Sequence, residues 1–286
     1  MERRKFMQQT ALSGFLLSPL VKASVPASET QKPFKNNIHH SVCRWCFEDI
    51  PLATFLAHLQ QLGIGALDLV GPEDWPLLKQ YGIHCSMCNG AEISLTKGWN
   101  DPQNHPELTA NYTEMIPKVA AAGYTNLICF SGNRNGMTDE MGLAHCVAGL
   151  SQIMPLAEKH GVVIQMELFN QINHPDYMCD SSAWGIALCK ALGSPNFKLL
   201  YDIYHMQIQE GDIIRTIQQN HSYFGHYHTA GVPGRHEIDD SQELYYPAIM
   251  RAIVETGYQG YVAQEFIPTA TEPLESLREA VSICDV

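Results

Sequence analysis

Apolar and polar positions alternate along this chain in two periods, one typical of buried strands and the other of helices. Short runs rich in valine, isoleucine and leucine, such as "VVIQMELFN" at 162–170, predict strands that are buried on both faces. Longer amphipathic stretches separate these runs. In "PLATFLAHLQQLG", for example, Pro51 opens a predicted helix and Gly63 follows its end. The pattern therefore predicts strands that alternate with helices.

Eight strand–helix units follow one another after residue 36. The predicted strands are "HSVCRWCF", "GALDLVG", "IHCSMCNG", "TNLICFSG", "VVIQMELFN", "FKLLYDIYH", "YFGHYHTAG" and "GYVAQEFI". One long helix is predicted over "DEMGLAHCVAGLSQIMPLAEKHG". Eight units in roughly 250 residues predict an α/β fold, a single (β/α)8 TIM barrel over residues 37–286. The alternative is a doubly wound sheet, which usually has a glycine-rich loop after its first strand, where this chain has "CFEDIP".

Residues 1–27 differ from the rest of the chain. Arg3 and Arg4 precede Phe6, a short apolar run that serine, glycine and proline interrupt, and small residues up to Ala27. This layout resembles a twin-arginine signal peptide, and the apolar run is too short to span a bilayer. The leader therefore predicts a periplasmic protein without stable membrane insertion, or a cytoplasmic protein if the leader is not functional.

The charge of the chain narrows the class of partner. Thirty acidic residues against 18 basic ones give a formal net charge of −12. A nucleic-acid partner normally requires a basic face, so the balance disfavours one. A small-molecule substrate is expected, and a homo-oligomer is left open.

Nine cysteines raise the question of a structural metal. Cys43-x-x-Cys46 and Cys85-x-x-Cys88 have the spacing of a four-cysteine zinc site. Both pairs lie in predicted strands, where residues three apart point to opposite faces, so neither pair is expected to chelate one ion. Buried free thiols are the preferred interpretation, and a disulfide is the alternative outside the cytoplasm.

Polar side chains come late in the last four predicted strands, where an isolated buried charge would be costly. They are Glu167 and Asn170 in the fifth strand, Asp202 and His205 in the sixth, His226 and His228 in the seventh, and Glu265 in the eighth. Barrel enzymes carry their chemistry at these strand ends. Two glutamates, an aspartate and a histidine suit one divalent cation such as Mg²⁺, Mn²⁺, Co²⁺ or Zn²⁺. His226 is interpreted as structural.

The motifs "MELFN", "DIYHMQ", "AGVPGRHE" and "QEF" resemble the hydroxypyruvate isomerase group of the xylose-isomerase-like barrel family. The likeness covers nearly everything after the leader. It implies a metal ion held by Glu167, Asp202, His228 and Glu265. It also implies that Glu167 and Glu265 transfer protons, and that His205 and Arg235 bind substrate oxygens.

The resemblance implies a metal-dependent isomerase that converts hydroxypyruvate to tartronate semialdehyde (2-hydroxy-3-oxopropanoate) through an ene-diolate. Two residues depart from the pattern, because His228 stands where the group often has glutamine and Ile267 where some members have lysine. A ketose 3-epimerase or a sugar dehydratase on the same barrel is the alternative. The negative charge disfavours an apurinic endonuclease, and the carboxylate set disfavours a non-catalytic sugar-binding barrel. Trp45, Phe47 and Trp99 are candidates either for the pocket wall or for the core.

Overall fold

Eight parallel strands occur where the apolar runs predict them, in a computed structural model that describes residues 34–286. The strands are β1 (His39–Val42), β2 (Ala66–Val70), β3 (His84–Cys88), β4 (Asn126–Cys129), β5 (Val163–Glu167), β6 (Phe197–Asp202), β7 (Phe224–Thr229) and β8 (Tyr261–Gln264). They pair in the order β1-β8-β7-β6-β5-β4-β3-β2, and the bridge between Cys43 and Asp68 joins the two ends of that series. The predicted (β/α)8 barrel is confirmed. The predicted leader lies outside the described residues.

Helices surround the strands. They are α1 (Leu52–Leu62), α2 (Trp75–Gln80), α3 (His105–Ala122), α4 (Asp139–Leu150), α5 (Met154–His160), α6 (Ser182–Leu192), α7 (Ile203–Gln209), α8 (Ile213–Asn220), α9 (Tyr246–Glu255) and α10 (Pro273–Cys284). Within residues 34–286, none of the helices has both the length and the apolar character that crossing a membrane requires.

The first helix shows how the apolar pattern builds the outer layer. Phe55, Leu59 and Leu62 recur at helical spacing along α1 and are buried. Gly63 ends the helix with a left-handed φ of 77°, and its N–H donates to the carbonyls of the last turn. A residue with a Cβ would adopt this conformation at a cost, so glycine fixes the point at which the chain turns back towards β2.

Three local predictions are wrong. The long helix predicted after the fourth strand is two helices, because Pro155 has no N–H to continue the hydrogen-bond ladder and instead sits in the first turn of α5. The first strand ends at Val42, and Arg44–Phe47 forms a 3-10 helix. His205 lies in α7 rather than on the end of the sixth strand.

The cysteines are free thiols, and all except Cys46 are buried. Cys85 and Cys88 do not point to opposite faces as predicted, because their Sγ atoms lie 3.4 Å apart. The register between β2 and β3 shifts beside Ser86, and this irregularity breaks the strict alternation of side chains on β3.

Candidate metal centre and active site

Four buried side chains converge at the C-terminal ends of the last four strands. Glu167 ends β5, Asp202 ends β6, His228 is the fifth residue of β7, and Glu265 directly follows β8. One nitrogen or oxygen atom from each side chain lies within 4.8 Å of the others. Their residues are between 0% and 3% exposed. Strand register brings them together, since Asp202 pairs with His228 and the neighbouring strands are in parallel alignment.

The ring of His228 lies between two of the carboxylates. Its Nδ1 atom is 3.2 Å from Glu167 Oε1 and 2.7 Å from Glu265 Oε2. Within residues 34–286, Glu167 Oε1 has no hydrogen bond of good geometry. The backbone N–H of His205 donates to Asp202 Oδ1 over 3.2 Å.

Burial and neighbouring charges shift the pKa values of these groups in different directions. Burial raises the pKa of Glu167, and it raises the pKa of Asp202 to about 7. Burial acts on Glu265 in the same sense, but Arg235 and His228 outweigh it and hold the pKa of Glu265 well below its ordinary value. Burial would lower the pKa of His228, yet the neighbouring Cys43, Glu265 and Asp68 raise it well above its ordinary value. Three carboxylates confined in this way favour a cation between them.

This donor set fits one divalent metal ion. Three carboxylates and one imidazole supply hard oxygen ligands and one nitrogen, which is a common environment for Mg²⁺, Mn²⁺, Co²⁺ or Zn²⁺. The unpaired Glu167 Oε1 is a buried acceptor directed into the cluster. A doubly charged ion would offset both the repulsion among the carboxylates and the cost of their burial.

Arg235 lies against the same cluster. Its Nη2 atom is 2.5 Å from Glu265 Oε2 and 3.4 Å from Asp202 Oδ2. The guanidinium carbon is 5.2 Å from the ring centroid of Trp45 and 5.5 Å from that of Tyr204. Its planar group is therefore held between two aromatic rings beside the carboxylates, an arrangement that fixes its direction.

His205 is fully buried next to Asp202, its Nε2 atom 3.5 Å from Asp202 Oδ2. The side-chain amide of Asn170 donates to His205 Nδ1 over 2.7 Å, so the proton of the neutral ring belongs on Nε2, which faces Asp202. Burial, and then the charge of Arg235, hold the pKa of His205 well below its ordinary value. His205 is thus a neutral imidazole with a fixed tautomer.

A cavity of about 440 Å³ opens over the ends of β2, β3 and β4. Trp45 lines it and is 37% exposed, so this residue belongs to the pocket wall. Phe47 instead stacks on Phe55 in the core, and Trp99 is fully buried against Tyr112. Trp45 therefore connects the cavity with the carboxylate cluster.

Two residues that the sequence did not single out lie against His228 on its other side. Asp68 Oδ1 is 3.6 Å and Cys43 Sγ is 3.8 Å from His228 Nε2. Burial opposes ionisation of Asp68, but His226 outweighs it and lowers the pKa of Asp68 to about 2. The available signal was a lone aspartate inside the apolar strand "ALDLV".

An eight-stranded parallel barrel with buried carboxylates and a histidine at its C-terminal strand ends defines an α/β-barrel protein with a candidate divalent-metal centre. The chain belongs to the xylose isomerase-like TIM barrel family, whose model matches residues 75–283.

Curated relatives match parts of the chain. A 2-oxo-tetronate isomerase of Cupriavidus necator is 37% identical over 114 residues, which are 40% of this chain and 44% of the relative. A hydroxypyruvate isomerase of Escherichia coli is 27% identical over 171 residues, or 59% of this chain and 66% of the relative. The match to the first of these thus spans less than half of that relative's length.

Solved structures share the fold across most of the chain. An AP endonuclease, family 2, from Brucella melitensis superposes with a TM-score of 0.75 at 22% identity, covering 84% of this chain and 96% of that one. A D-psicose 3-epimerase gives 0.70 at 17% identity, with coverages of 86% and 97%. An IOLI protein with a bound zinc atom gives 0.68 at 15% identity, with coverages of 86% and 98%.

Proposed function

We propose that this protein is a metal-dependent isomerase that moves a proton between adjacent carbons of a small hydroxy-carbonyl acid. Hydroxypyruvate, converted to tartronate semialdehyde, is the first candidate substrate. The observation that carries the proposal is the convergence of Glu167, Asp202, His228 and Glu265 within 4.8 Å, with Arg235 against them. The names of the partial relatives, hydroxypyruvate isomerase and 2-oxo-tetronate isomerase, support the same reaction type.

The four converging residues would hold the cation. When bound, a divalent metal ion would supply electrostatic stabilisation for the negative charge that develops on the substrate oxygens. The side chains also set the orientation of the site, because Trp45 and Arg235 hold the Glu265 carboxylate by hydrogen bonds to its two oxygens.

Two glutamates are available for the proton transfer. Glu167 ends β5 and Glu265 directly follows β8. Two other strands separate β5 from β8, so the two carboxylates approach the centre from different directions. The environment of Glu265 keeps it ionised, so its carboxylate is free of a proton when the substrate binds and can accept one from the carbon beside the carbonyl. The same carboxyl returns the proton to the neighbouring carbon. Glu167 transfers the hydroxyl proton between the two oxygens of the ene-diolate.

Arg235 and His205 set the type of substrate. A guanidinium held between two rings offers paired N–H donors to a carboxylate, which favours an acid over an uncharged sugar. His205, with its Nε2 proton near Asp202, is placed to donate to a substrate oxygen.

The test begins with the metal content of the purified protein. The protein is then stripped with a chelator and reloaded separately with Mg²⁺, Mn²⁺, Co²⁺ and Zn²⁺. Each form is incubated with hydroxypyruvate, 2-oxo-tetronate and a panel of ketoses in D₂O, and the products are identified by NMR. We expect an isomerised acid, in which deuterium enters the receiving carbon to the extent that the carboxyl exchanges its proton with D₂O before it returns it. No isomer from either acid with any loaded form would overturn the proposal.

A 3-epimerase or a dehydratase is the second candidate. The observation that favours it is His228, since the isomerase group that the chain resembles often has glutamine at this place. The same panel separates the reactions, because an epimerised ketose or a dehydrated product replaces the isomerised acid.

We also propose that the protein is exported to the periplasm. The paired Arg3 and Arg4 and the short apolar run after them support this location. Replacing both arginines with lysine should keep the protein in the cytoplasm at its full length. Finding the unchanged protein entirely in the cytoplasm with its first residues intact would contradict export.

A further inference from the structure

Asp68 is a fully buried carboxylate on β2 that lies outside the candidate metal centre. One of its oxygens, Oδ2, is 2.5 Å from His226 Nε2 and accepts a hydrogen bond from Ser86 Oγ over 3.1 Å. The other oxygen, Oδ1, has no hydrogen-bond partner of good geometry within residues 34–286. Oδ1 faces His228 Nε2 at 3.6 Å.

We propose that Asp68 is a positioning residue that fixes the ring of His228 so that its Nδ1 lone pair faces the metal centre. The inference rests on the proposed metal centre, but it makes a claim of its own about which ring nitrogen carries the proton. It assigns the proton to Nε2, the nitrogen that faces Asp68.

The chemistry of imidazole makes this assignment necessary. A nitrogen that binds a metal must present a lone pair, so metal binding displaces the proton from that nitrogen and leaves a neutral ring with one proton. His228 Nδ1 faces Glu167 and Glu265, so Nδ1 is the nitrogen that would bind the ion. The proton must then lie on Nε2. Metal-binding histidines usually donate that second N–H to a carboxylate or a carbonyl, which fixes both the tautomer and the ring orientation.

The neighbours of Asp68 hold it in place for this role. His226 and Ser86 both engage Oδ2, which leaves Oδ1 directed towards His228. Ser86 is in turn anchored by a 2.5 Å contact with Ser41 Oγ. His226, interpreted from the sequence as structural, thus has a specific contact with the carboxylate that orients His228.

Cys43 is the competing partner for His228 Nε2, at 3.8 Å. A thiol is a weak hydrogen-bond acceptor, whereas a carboxylate accepts a stronger, charge-assisted bond. Cys43, Asp68 and His228 also form a group of potential metal ligands, whose donor atoms lie within 4.8 Å of one another. A second ion there would require His228 Nε2 to be unprotonated, so the two arrangements exclude each other.

The first experiment measures Mn²⁺ affinity in the full chain and in Asp68→Asn, each alone and combined with His228→Gln. Asparagine keeps the size of the side chain but loses the charge. We expect Asp68→Asn to weaken Mn²⁺ binding by about 10–100-fold when His228 is present. In the His228→Gln background the effect should shrink to less than about 2-fold, because no ring remains to be oriented. Equal losses in both backgrounds, or no loss in either, would overturn the role.

The second experiment does not depend on the double variant. Protein with ¹⁵N-labelled histidine is loaded with diamagnetic Zn²⁺, and the protonated nitrogen of His228 is identified by NMR. We expect a proton on Nε2. A proton on Nδ1, or a second Zn²⁺ per chain that Cys43→Ser removes, would overturn the assignment. If the wild-type protein binds no Mn²⁺ in the first experiment, the proposed metal centre itself is wrong. If the wild type binds Mn²⁺ and the Asp68 variants behave otherwise than expected, only the role of Asp68 is wrong.

Discussion

The indole Nε1 of Trp45 donates a 2.8 Å hydrogen bond to Oε1 of Glu265. This bond joins the 3-10 turn after the first strand to the end of the last one, and these two strands are paired neighbours in the barrel. The second oxygen of Glu265 faces Arg235 and His228. Both oxygens of the proposed base are therefore oriented before a substrate arrives.

Replacing Glu265 with glutamine should abolish turnover and leave the fold intact. The amide keeps the shape and can still accept from Trp45, but it cannot take a proton. We expect kcat to fall by at least about 10²–10⁴-fold, the usual contribution of a general base. Steady-state kinetics and the thermal midpoint would be measured together, with the exposed Glu255→Gln as the matched control. Activity within threefold of wild type would remove Glu265 from the mechanism.

Replacing Arg235 with lysine should impair binding of an acid substrate. Lysine retains the charge but loses the planar fork that pairs with a carboxylate. We expect kcat/KM for hydroxypyruvate to fall by about 10–100-fold, mainly through KM, in line with the loss of a charge-assisted hydrogen bond. Initial-rate measurements over a range of substrate concentrations would show it. An unchanged KM would mean that another group holds the substrate carboxylate.

Replacing Gly98 with alanine should destabilise the barrel. A Cβ at this position would lie 2.3 Å from the carbonyl oxygen of Phe130 and from the carbonyl carbon of Ser131, and both are backbone atoms. We expect a loss of about 1–3 kcal/mol or more in the free energy of unfolding. Urea denaturation would measure it, with Gly65→Ala as the control, because a Cβ there meets nothing within 4 Å. Equal stability of the two variants would contradict the expected clash.

His40 should make the protein less stable in acid. Burial, partly offset by Asp285, lowers its pKa from 6.5 to about 4. Between these values the unfolded chain binds more protons than the folded one, so this contribution is fully present above pH 6.5 and is lost as pH falls towards 4. The loss is roughly 3 kcal/mol at about 1.4 kcal/mol per pKa unit.

The measurement is urea denaturation at pH 7, 5 and 4. Wild type should lose more stability over this range than His40→Phe, which has no group to titrate at this buried position. The exposed His221→Gln variant is the control and should follow wild type. Parallel loss in wild type and His40→Phe would assign the acid sensitivity to other groups.

The barrel could be predicted from the sequence because the alternation of an apolar strand with an amphipathic helix is repeated along the chain. Glu167, Asp202 and Glu265 stood out because each interrupts an apolar run near its end, and parallel strands align their ends. The position of His205 could not be read in the same way, since the strand gives way to α7 at Ile203 and "DIYH" has no break that marks the change.

The contacts that could not be predicted from the sequence are tertiary ones. Asp68 has the same signal as Glu167, a carboxylate in an apolar strand, but its partner His226 is 158 positions away and lies on a strand that is not its neighbour. The approach of Cys85 to Cys88 depends on an irregularity in strand pairing that no local pattern encodes. Strand pairing and packing across the barrel therefore determine these contacts, and the periodicity of single segments does not.

The unit formed by β2, α2 and β3 is joined to the neighbouring strands by fewer paired residues than any other part of the described sheet. Its strands pair well with each other, but only Cys43–Asp68 joins it on one side and Cys88–Leu127 on the other. Such a unit should open locally more often than the rest of the barrel. Its amide protons should therefore exchange with solvent sooner than those of β5 to β8. Asp68 belongs to the β2–α2–β3 unit, and His228 belongs to the rest of the barrel. Binding of a cation should therefore strengthen the contact between these two parts and slow the amide exchange of the unit.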